Sequence, residues 1–131
     1  MARRPTEGPT EAELEILHIL WRQERATVRE VCEVLNRLRD TGYTTALKLM
    51  QIMAEKGLVK RDETSRSHVY EAAVNQDEVQ SKFVGTMLDR LFGGSYEKLL
   101  VHAIRAKEIS AGELGRIRKL LDNVEKKRGK R

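Results

Sequence analysis

Residues 27–72 decide the fold of this chain, and they read TVREVCEVLNRLRDTGYTTALKLMQIMAEKGLVKRDETSRSHVYEA. Two sets of apolar side chains recur in this stretch at spacings of three and four residues, which is typical of helices that bury one face. They are Val31, Val34, Leu35 and Leu38, and then Ala46, Leu49, Met50 and Met53. The turn sequence Asp40-Thr41-Gly42 separates the two sets. The pattern predicts two helices, over about residues 28–39 and 44–56.

A β-hairpin is predicted directly after the second of these helices. Gly57 is a typical helix stop, because glycine adopts the left-handed backbone conformation at little cost. The runs Leu58–Arg61 and His68–Ala72 carry β-branched and aromatic residues, and every residue between them is polar. The segment Ala26-Thr27, just before the first of the two helices, is a candidate for one further strand pairing.

Another helix precedes this unit. Thr10 and Glu13 have the spacing of a capping box, in which a hydroxyl and a carboxylate each bond a free backbone N–H group at the helix start. Apolar residues at helical spacing follow, which predicts a helix over about residues 11–23. Three helices followed by a hairpin is the order of a winged helix-turn-helix domain. In that motif the last of the three helices lies in the major groove of DNA.

The outward face of this third helix and the hairpin carry the candidate DNA contacts. Hydroxyl, amide and ammonium groups can bond base edges, and Leu47 can contact a thymine methyl group. Basic side chains on the hairpin suit phosphate contact or minor-groove insertion. The predicted set is Thr44, Thr45, Leu47, Lys48, Gln51, Lys60, Arg61 and Arg66. The alternatives are that Leu47 packs against Tyr43 or the hairpin, and that the hairpin tip is only a solvated turn.

Beyond residue 74 the sequence predicts helices alone, broken at Gly93-Gly94-Ser95. Their apolar residues cover two adjacent faces, and so short a segment offers little core in which to bury them. Pairing with a second copy buries these faces, and a two-fold dimer doubles the DNA readout. The predicted dimerisation residues are Val79, Phe83, Met87, Leu91, Leu100, Ile104, Ile117 and Leu121. The alternative is a monomer whose last helices fold back on the first domain.

The predicted fold class is mostly α with a small β-hairpin wing: an N-terminal winged helix-turn-helix domain and a C-terminal helical dimerisation module. The expected domains are residues 1–74 and 75–125. Residues 126–131 hold five basic side chains and are expected to form a disordered tail. The net charge of +5 arises after residue 74, because residues 1–74 contain 12 basic and 12 acidic side chains.

Composition and spacing exclude several classes of protein. No segment approaches the ~20 apolar residues of a membrane span, and no apolar run follows the first arginines, so we expect no membrane insertion and a cytoplasmic location. A single cysteine, Cys32, excludes an intrachain disulfide and a thiolate metal cluster. His18, His68 and His102 lie in separate predicted elements, without a nucleophile–base pair or a phosphate-binding glycine loop. We therefore expect no enzyme, no metal site and no cofactor.

Four blocks of sequence, in order along about residues 9–124, carry a resemblance to a known family. They are residues 9–17 with Leu20-Trp21 and residues 27–31, residues 42–47 with 55–59, residues 66–70, and Leu91-Phe92-Gly93-Gly94-Ser95. Together they resemble the penicillinase-repressor family, the BlaI/MecI type of winged helix-turn-helix transcriptional regulators. In that resemblance the second block matches the recognition helix, the third the wing, and the fourth a turn within the dimerisation domain.

The resemblance implies a homodimeric repressor that binds a palindromic operator in double-stranded DNA. It also implies release by an inducing signal, which is either a membrane sensor protease that cuts the dimerisation part or another inducer. Family members are cut at an Asn-Phe bond after the Gly-Gly-Ser turn, and the matching positions here are His102 and Ala103. Copper sensing through a C-terminal cysteine cluster, found in related proteins, does not fit a chain with one cysteine. The alternative function is a winged-helix adaptor that binds proteins through an apolar patch around Leu47 and Ile52.

Overall fold

Six α-helices and three short β-strands form over the residues that the computed structural model describes, 8–64 and 66–129. The helices are α1 (Glu11–Gln23), α2 (Val28–Leu38), α3 (Tyr43–Glu55), α4 (Gln76–Arg90), α5 (Tyr96–Ala106) and α6 (Ala111–Gly129). The strands are β1 (Ala26–Thr27), β2 (Val59–Asp62) and β3 (Val69–Ala72). Each predicted helix and strand is present, with bounds that differ by one residue or so from the sequence-based ones.

Capping boxes start both α1 and α2, as the sequence predicts. At α1 the Thr10 hydroxyl accepts the Glu13 N–H at 3.2 Å, and the Glu13 carboxylate accepts the Thr10 N–H at 2.9 Å. At α2, Thr27 and Glu30 form the same two bonds at 3.2 and 2.8 Å. Each box satisfies backbone donors that the first helical turn leaves without an intrahelical partner.

The three strands form one small antiparallel sheet in the order β1-β3-β2. The predicted hairpin is therefore confirmed, with Arg61 opposite Tyr70, and so is the extra pairing, with Ala26 opposite Tyr70 on the other side. Gly57 connects α3 to β2 with a positive φ of 79°, which glycine tolerates best. The Leu58 N–H closes the helix end on the Met53 carbonyl at 2.9 Å.

One hydrophobic core lies under α1, α2, α3 and the sheet. It contains fifteen buried apolar residues, all between positions 16 and 70. Ile16, Leu17, Val31, Met50 and Tyr70 are among its most buried members. The Trp21 indole donates to the Val74 carbonyl at 3.1 Å and so attaches the chain after β3 to α1.

The chain divides into two compact units, Met1–Val84 and Gly85–Arg131. The sequence predicted the boundary at residue 74, where the hairpin ends, whereas this division falls within α4. The second unit contains α5 and α6, capped by the hydroxyls of Ser95 and Ser110, each of which accepts a backbone N–H at 3.1 Å. Gly93 and Gly94 precede α5 with positive φ values of 57° and 82°, so the predicted helix break is confirmed.

The prediction of a disordered basic tail at residues 126–131 is wrong for its first four residues, because α6 continues to Gly129. Lys126, Lys127 and Arg128 occupy the last turn of α6, where cations are stabilised by the negative end of the helix dipole. Asp122 lies four residues before Lys126, a spacing that also favours the helix. Lys130 and Arg131 lie outside the described residues.

Candidate nucleic-acid interface

The turn between α2 and α3 is held by two side chains of α2. The Asn36 side-chain oxygen accepts the Thr41 N–H at 2.6 Å, and the Cys32 thiol donates to the Thr41 carbonyl at 3.3 Å. Both backbone polar groups of Thr41 are therefore fixed, and the next residue, Gly42, is the N-cap of α3. Cys32 is buried and serves this packing, in line with a structural rather than a reactive cysteine.

Helix α3 has one buried face and one exposed polar face. Ala46, Met50 and Met53 are fully buried against the core. The side chains exposed on the other side are Thr44, Thr45, Lys48, Gln51 and Glu55. The predicted outward face is therefore solvent-accessible, as a helix that reads base edges requires.

The two apolar residues that flank this face are only partly exposed. Leu47 is half-buried and packs against the hydrophobic core, which favours the packing alternative over contact with a thymine methyl group. Ile52 is also half-buried. Tyr43, in the first turn, is the large hydrophobic side chain that α3 exposes. Leu47 and Ile52, around which the apolar patch of an adaptor would form, are therefore less exposed than the polar residues of this face.

The hairpin presents three predicted cations in different surroundings. Lys60 is exposed, and no ion pair holds it among the residues that the structure describes. Arg66 is exposed too, next to Ser65, which lies outside the described residues. Arg61 differs, since its guanidinium lies 3.3 Å from the Glu63 carboxylate. A hydrogen bond with Tyr70 and the charge of Glu63 raise the pKa of Arg61 above its ordinary value.

Arg25 joins the hairpin to the loop after α1, a contact that sequence reasoning missed. Its guanidinium lies 2.8 Å from Asp62 in β2 and 3.9 Å from Glu71 in β3. Hydrogen bonds from Thr64, and then the pairing with Arg25, hold the pKa of Asp62 below its ordinary value. Local sequence gave no signal for this cluster, because Arg25 and Asp62 are 37 residues apart. The cluster pairs two acidic side chains of the hairpin with Arg25 and leaves the hairpin cations Lys60 and Arg66 outside these ion pairs.

Two shallow depressions lie on the described surface of this unit. One, of about 320 Å³, is lined mainly by charged residues of the hairpin and by Arg25 from the loop after α1. Another, of about 300 Å³, lies beside the α2–α3 turn and includes Thr45 and Leu49. Within residues 8–64 and 66–129, no group of three or more histidine, cysteine or acidic side chains is arranged to hold a metal ion. Across the same residues, no helix combines the length and apolar character that crossing a bilayer demands.

The predicted dimerisation residues are largely exposed. None of the described residues of α4, α5 or α6 is buried. In the second unit the exposed large hydrophobic side chains are Leu91, Tyr96, Leu100, Val101, Ile104, Leu120, Leu121 and Val124. Phe83 is at the margin of exposure, and Val79, Met87 and Ile117 are half-buried. His102 packs its ring 5.6 Å from that of Phe92.

Comparison with known proteins identifies the family. A family model described as penicillinase repressor matches residues 9–123. The transcriptional regulator BlaI of Mycobacterium tuberculosis is 34% identical over 118 residues, which cover 87% of this chain and 82% of that protein. The penicillinase repressor of Staphylococcus aureus is 22% identical over 116 residues, which cover 88% of this chain and 92% of that protein.

A solved structure supports the fold independently. The solution structure of the DNA binding domain of the repressor BlaI is similar with a TM-score of 0.50 and 20% sequence identity, covering 60% of this chain and 93% of that one. It confirms the predicted winged helix-turn-helix fold of the first unit. The match to a family of transcriptional repressors also confirms the prediction that the chain is not an enzyme. With the match along residues 9–123, the chain belongs to the penicillinase repressor family.

Proposed function

We propose that this protein is a homodimeric transcriptional repressor that binds a palindromic operator in double-stranded DNA. Its α3 lies in the major groove and its hairpin wing contacts the backbone. The observation that carries the proposal is the polar face of α3, where Thr44, Lys48 and Gln51 are exposed together above a fully buried opposite face. Family membership supports the same function.

The predicted contacts divide into two roles. Thr44, Thr45, Lys48 and Gln51 are the candidates for base edges, since hydroxyl, ammonium and amide groups match the donors and acceptors of the major groove. Lys60 and Arg66 are the candidates for phosphates. Arg61 reaches a phosphate only by exchanging its contact with Glu63, an exposed ion pair of small net energy. Leu47 contributes to the packing of α3 more than to readout.

Dimerisation through the second unit is the second part of the proposal. None of the described residues of α5 and α6 is buried, and large exposed apolar surfaces of this kind mark association sites. A second copy of the chain is the proposed cover, because a two-fold dimer places two α3 helices on two half-sites. The proposed location is the bacterial cytoplasm, where the DNA target lies.

Release from the operator is assigned to an inducing signal, which in this proposal is cleavage by a membrane sensor protease. The positions that match the family's cleavage site, His102 and Ala103, are exposed within α5. A protease needs an extended substrate, so α5 must unwind locally before it is cut. The departure from Asn-Phe at these positions makes a different protease specificity part of the proposal.

Selection of genomic DNA by the purified protein tests this function. Sequencing of the retained fragments should show one short palindrome, and sedimentation of the complex should give two chains per site. Affinity should fall steeply with salt, because each phosphate contact releases a bound counterion. Retention without sequence enrichment, by a chain that is folded and dimeric, would overturn the repressor function and favour the adaptor.

A further inference from the structure

Glu13 is a buried charged residue at the edge of the core. Its side chain is 3% exposed, and that of Lys56, which pairs with it, is 12% exposed. One carboxylate oxygen, Oε1, accepts the Lys56 ammonium at 2.7 Å and the Thr10 N–H at 2.9 Å. Burial by itself raises the pKa of Glu13, but the hydrogen bonds from Lys56 and Thr10 outweigh it and leave the pKa below its ordinary value. The Glu13 carboxylate is therefore ionised at neutral pH.

Lys56 occupies a position that two DNA-contacting elements share. It is the C-cap of α3, and only Gly57 and Leu58 separate it from β2 of the wing. The Lys56 N–H bonds the Ile52 carbonyl at 2.9 Å, and the Leu58 carbonyl accepts the Ala73 N–H at 2.9 Å. Leu58 and Val59 are both buried. These hydrogen bonds and the burial of Leu58 and Val59 fix both ends of the turn. The position of Lys56 therefore determines the directions of α3 and of the wing together.

Stability alone does not account for the ion pair. Two buried charges lose hydration, and well-packed apolar side chains of the same size often stabilise a protein equally well. An ion pair adds a fixed relative orientation of the two elements that it joins, because its hydrogen bonds require one geometry of the two side chains. A helix of 13 residues is about 20 Å long, so a rotation of about 10° at its C-terminal end moves its first turn by about 3 Å. A displacement of that size breaks hydrogen bonds to base edges.

We propose that Glu13 and Lys56 are positioning residues of the DNA interface. Their ion pair fixes the turn between α3 and the wing against α1, so that both elements meet DNA in one register. Neither residue touches DNA in this proposal. The inference rests on the proposed repressor function. It adds to that function a contact that does not touch DNA but determines sequence specificity by orienting α3.

The test is the double variant Glu13→Gln/Lys56→Met, which removes both charges and leaves no buried charge unpaired. The matched control is Glu15→Gln/Arg39→Gln. That ion pair also ties α1 to the residue after a helix, but it is more exposed and follows α2. Each protein is measured for thermal unfolding, for affinity toward the palindrome that the wild-type chain selects, and for affinity toward a scrambled duplex of equal length at the same salt.

We expect the double variant to unfold cooperatively and to bind the scrambled duplex within about two-fold of wild type, because its phosphate-contacting cations are intact. Its affinity for the palindrome should fall by about ten-fold or more, the size of a lost base contact. The control should keep both affinities, and Lys56→Arg, which retains the charge, should restore most of the discrimination. A purely stabilising role would lower the unfolding temperature and leave the ratio of the two affinities unchanged.

An unchanged ratio in the folded double variant would overturn the inference, and so would an equal loss on both duplexes. If the double variant does not unfold cooperatively, Lys56→Gln is measured against the same two criteria. A wild-type chain that fails to distinguish the palindrome from the scrambled duplex would instead overturn the proposed function. The two failures are therefore separate results.

Discussion

The two units of this chain differ in how far they bury their apolar side chains. Among the residues that the structure describes, the fifteen buried apolar ones all lie in the first unit, beneath three helices and a sheet. The second unit has apolar side chains of the same types at helical spacing, yet α5 and α6 bury none of their described residues. Amphipathic pattern therefore predicts that a face will be covered, but it does not say whether the cover is the same chain or another one.

Two exposed leucines offer the largest and cleanest test of that difference. Leu91 in the second unit is 70% exposed and Leu38 in the first is 71% exposed, so they match closely in one chain. We expect Leu91→Asp to raise the dimer dissociation constant by about 100-fold or more, roughly 1.4 kcal/mol for each of two copies, because it places a charge in the proposed interface. Leu38→Asp should leave the mass by sedimentation unchanged. Equal behaviour of the two variants would show that the interface lies elsewhere.

Shortening an apolar side chain should lower the free energy of unfolding in a different way in each unit. Met50 is fully buried, so Met50→Ala should lower the free energy of unfolding by about 2–5 kcal/mol at every protein concentration. Leu121→Ala, in the second unit, should show a loss that grows or shrinks with protein concentration, since a partner provides its packing. Urea unfolding at two concentrations, tenfold apart, measures both. A concentration-independent loss for Leu121→Ala would mean that one chain buries this residue.

The ion pair of the first unit predicts a dependence on pH. The folded pKa of Glu13 lies below its ordinary value of 4.5, so its contribution to stability is present above about pH 4.5 and is lost as the pH falls through the folded pKa. Glu13→Gln should therefore lower the free energy of unfolding by about 2 kcal/mol at pH 7, the size of a hydrogen bond to a charged group, and the difference from wild type should narrow in acid. Chemical unfolding across the pH range checks this. A difference that widens in acid would contradict the direction of the pKa shift.

Replacing Lys48 should separate DNA readout from dimerisation. We expect Lys48→Ala to weaken operator binding by roughly 1–3 kcal/mol if the ammonium contacts a base, without any change in mass. Titration with operator and with random DNA measures the effect. An equal loss on both would assign Lys48 to a phosphate instead. By contrast, Leu91→Asp should weaken palindrome binding and dissociate the dimer together.

The smallest effect is expected where charges are exposed. Arg25→Gln removes contacts with Asp62 and Glu71, and both partners are largely solvated. Exposed pairs contribute only about 0.2–1 kcal/mol, so urea unfolding should shift little. A loss as large as that of Met50→Ala would mean that the sheet depends on these charges as much as on the core.

The local rules of the sequence predicted the elements well. Capping boxes at Thr10 and Thr27, the glycine after α3 and the alternation of the hairpin are short-range signals, and each produced the structure it predicts. The prediction of a disordered tail was wrong for residues 126–129, because a run of basic residues is typical of a disordered end, whereas here it completes the last turn of α6. The individual DNA and dimer contacts remain predictions, since both depend on a partner.

The sequence by itself determined the order of helices and strands and the polar face of α3, because these follow from residues close together in the chain. It also determined the family, through motifs distributed along residues 9–123. Tertiary structure decided which charges remain available and which are paired. Glu13 looks like a helix cap in the sequence, and only the fold brings its carboxylate to Lys56, 43 residues away. From the sequence, Arg61 and Arg25 are basic side chains with no assigned partner. In the structure Arg61 lies beside Glu63 and Arg25 beside Asp62. The physical reason is that electrostatic pairing depends on distance in space, which local sequence patterns do not contain.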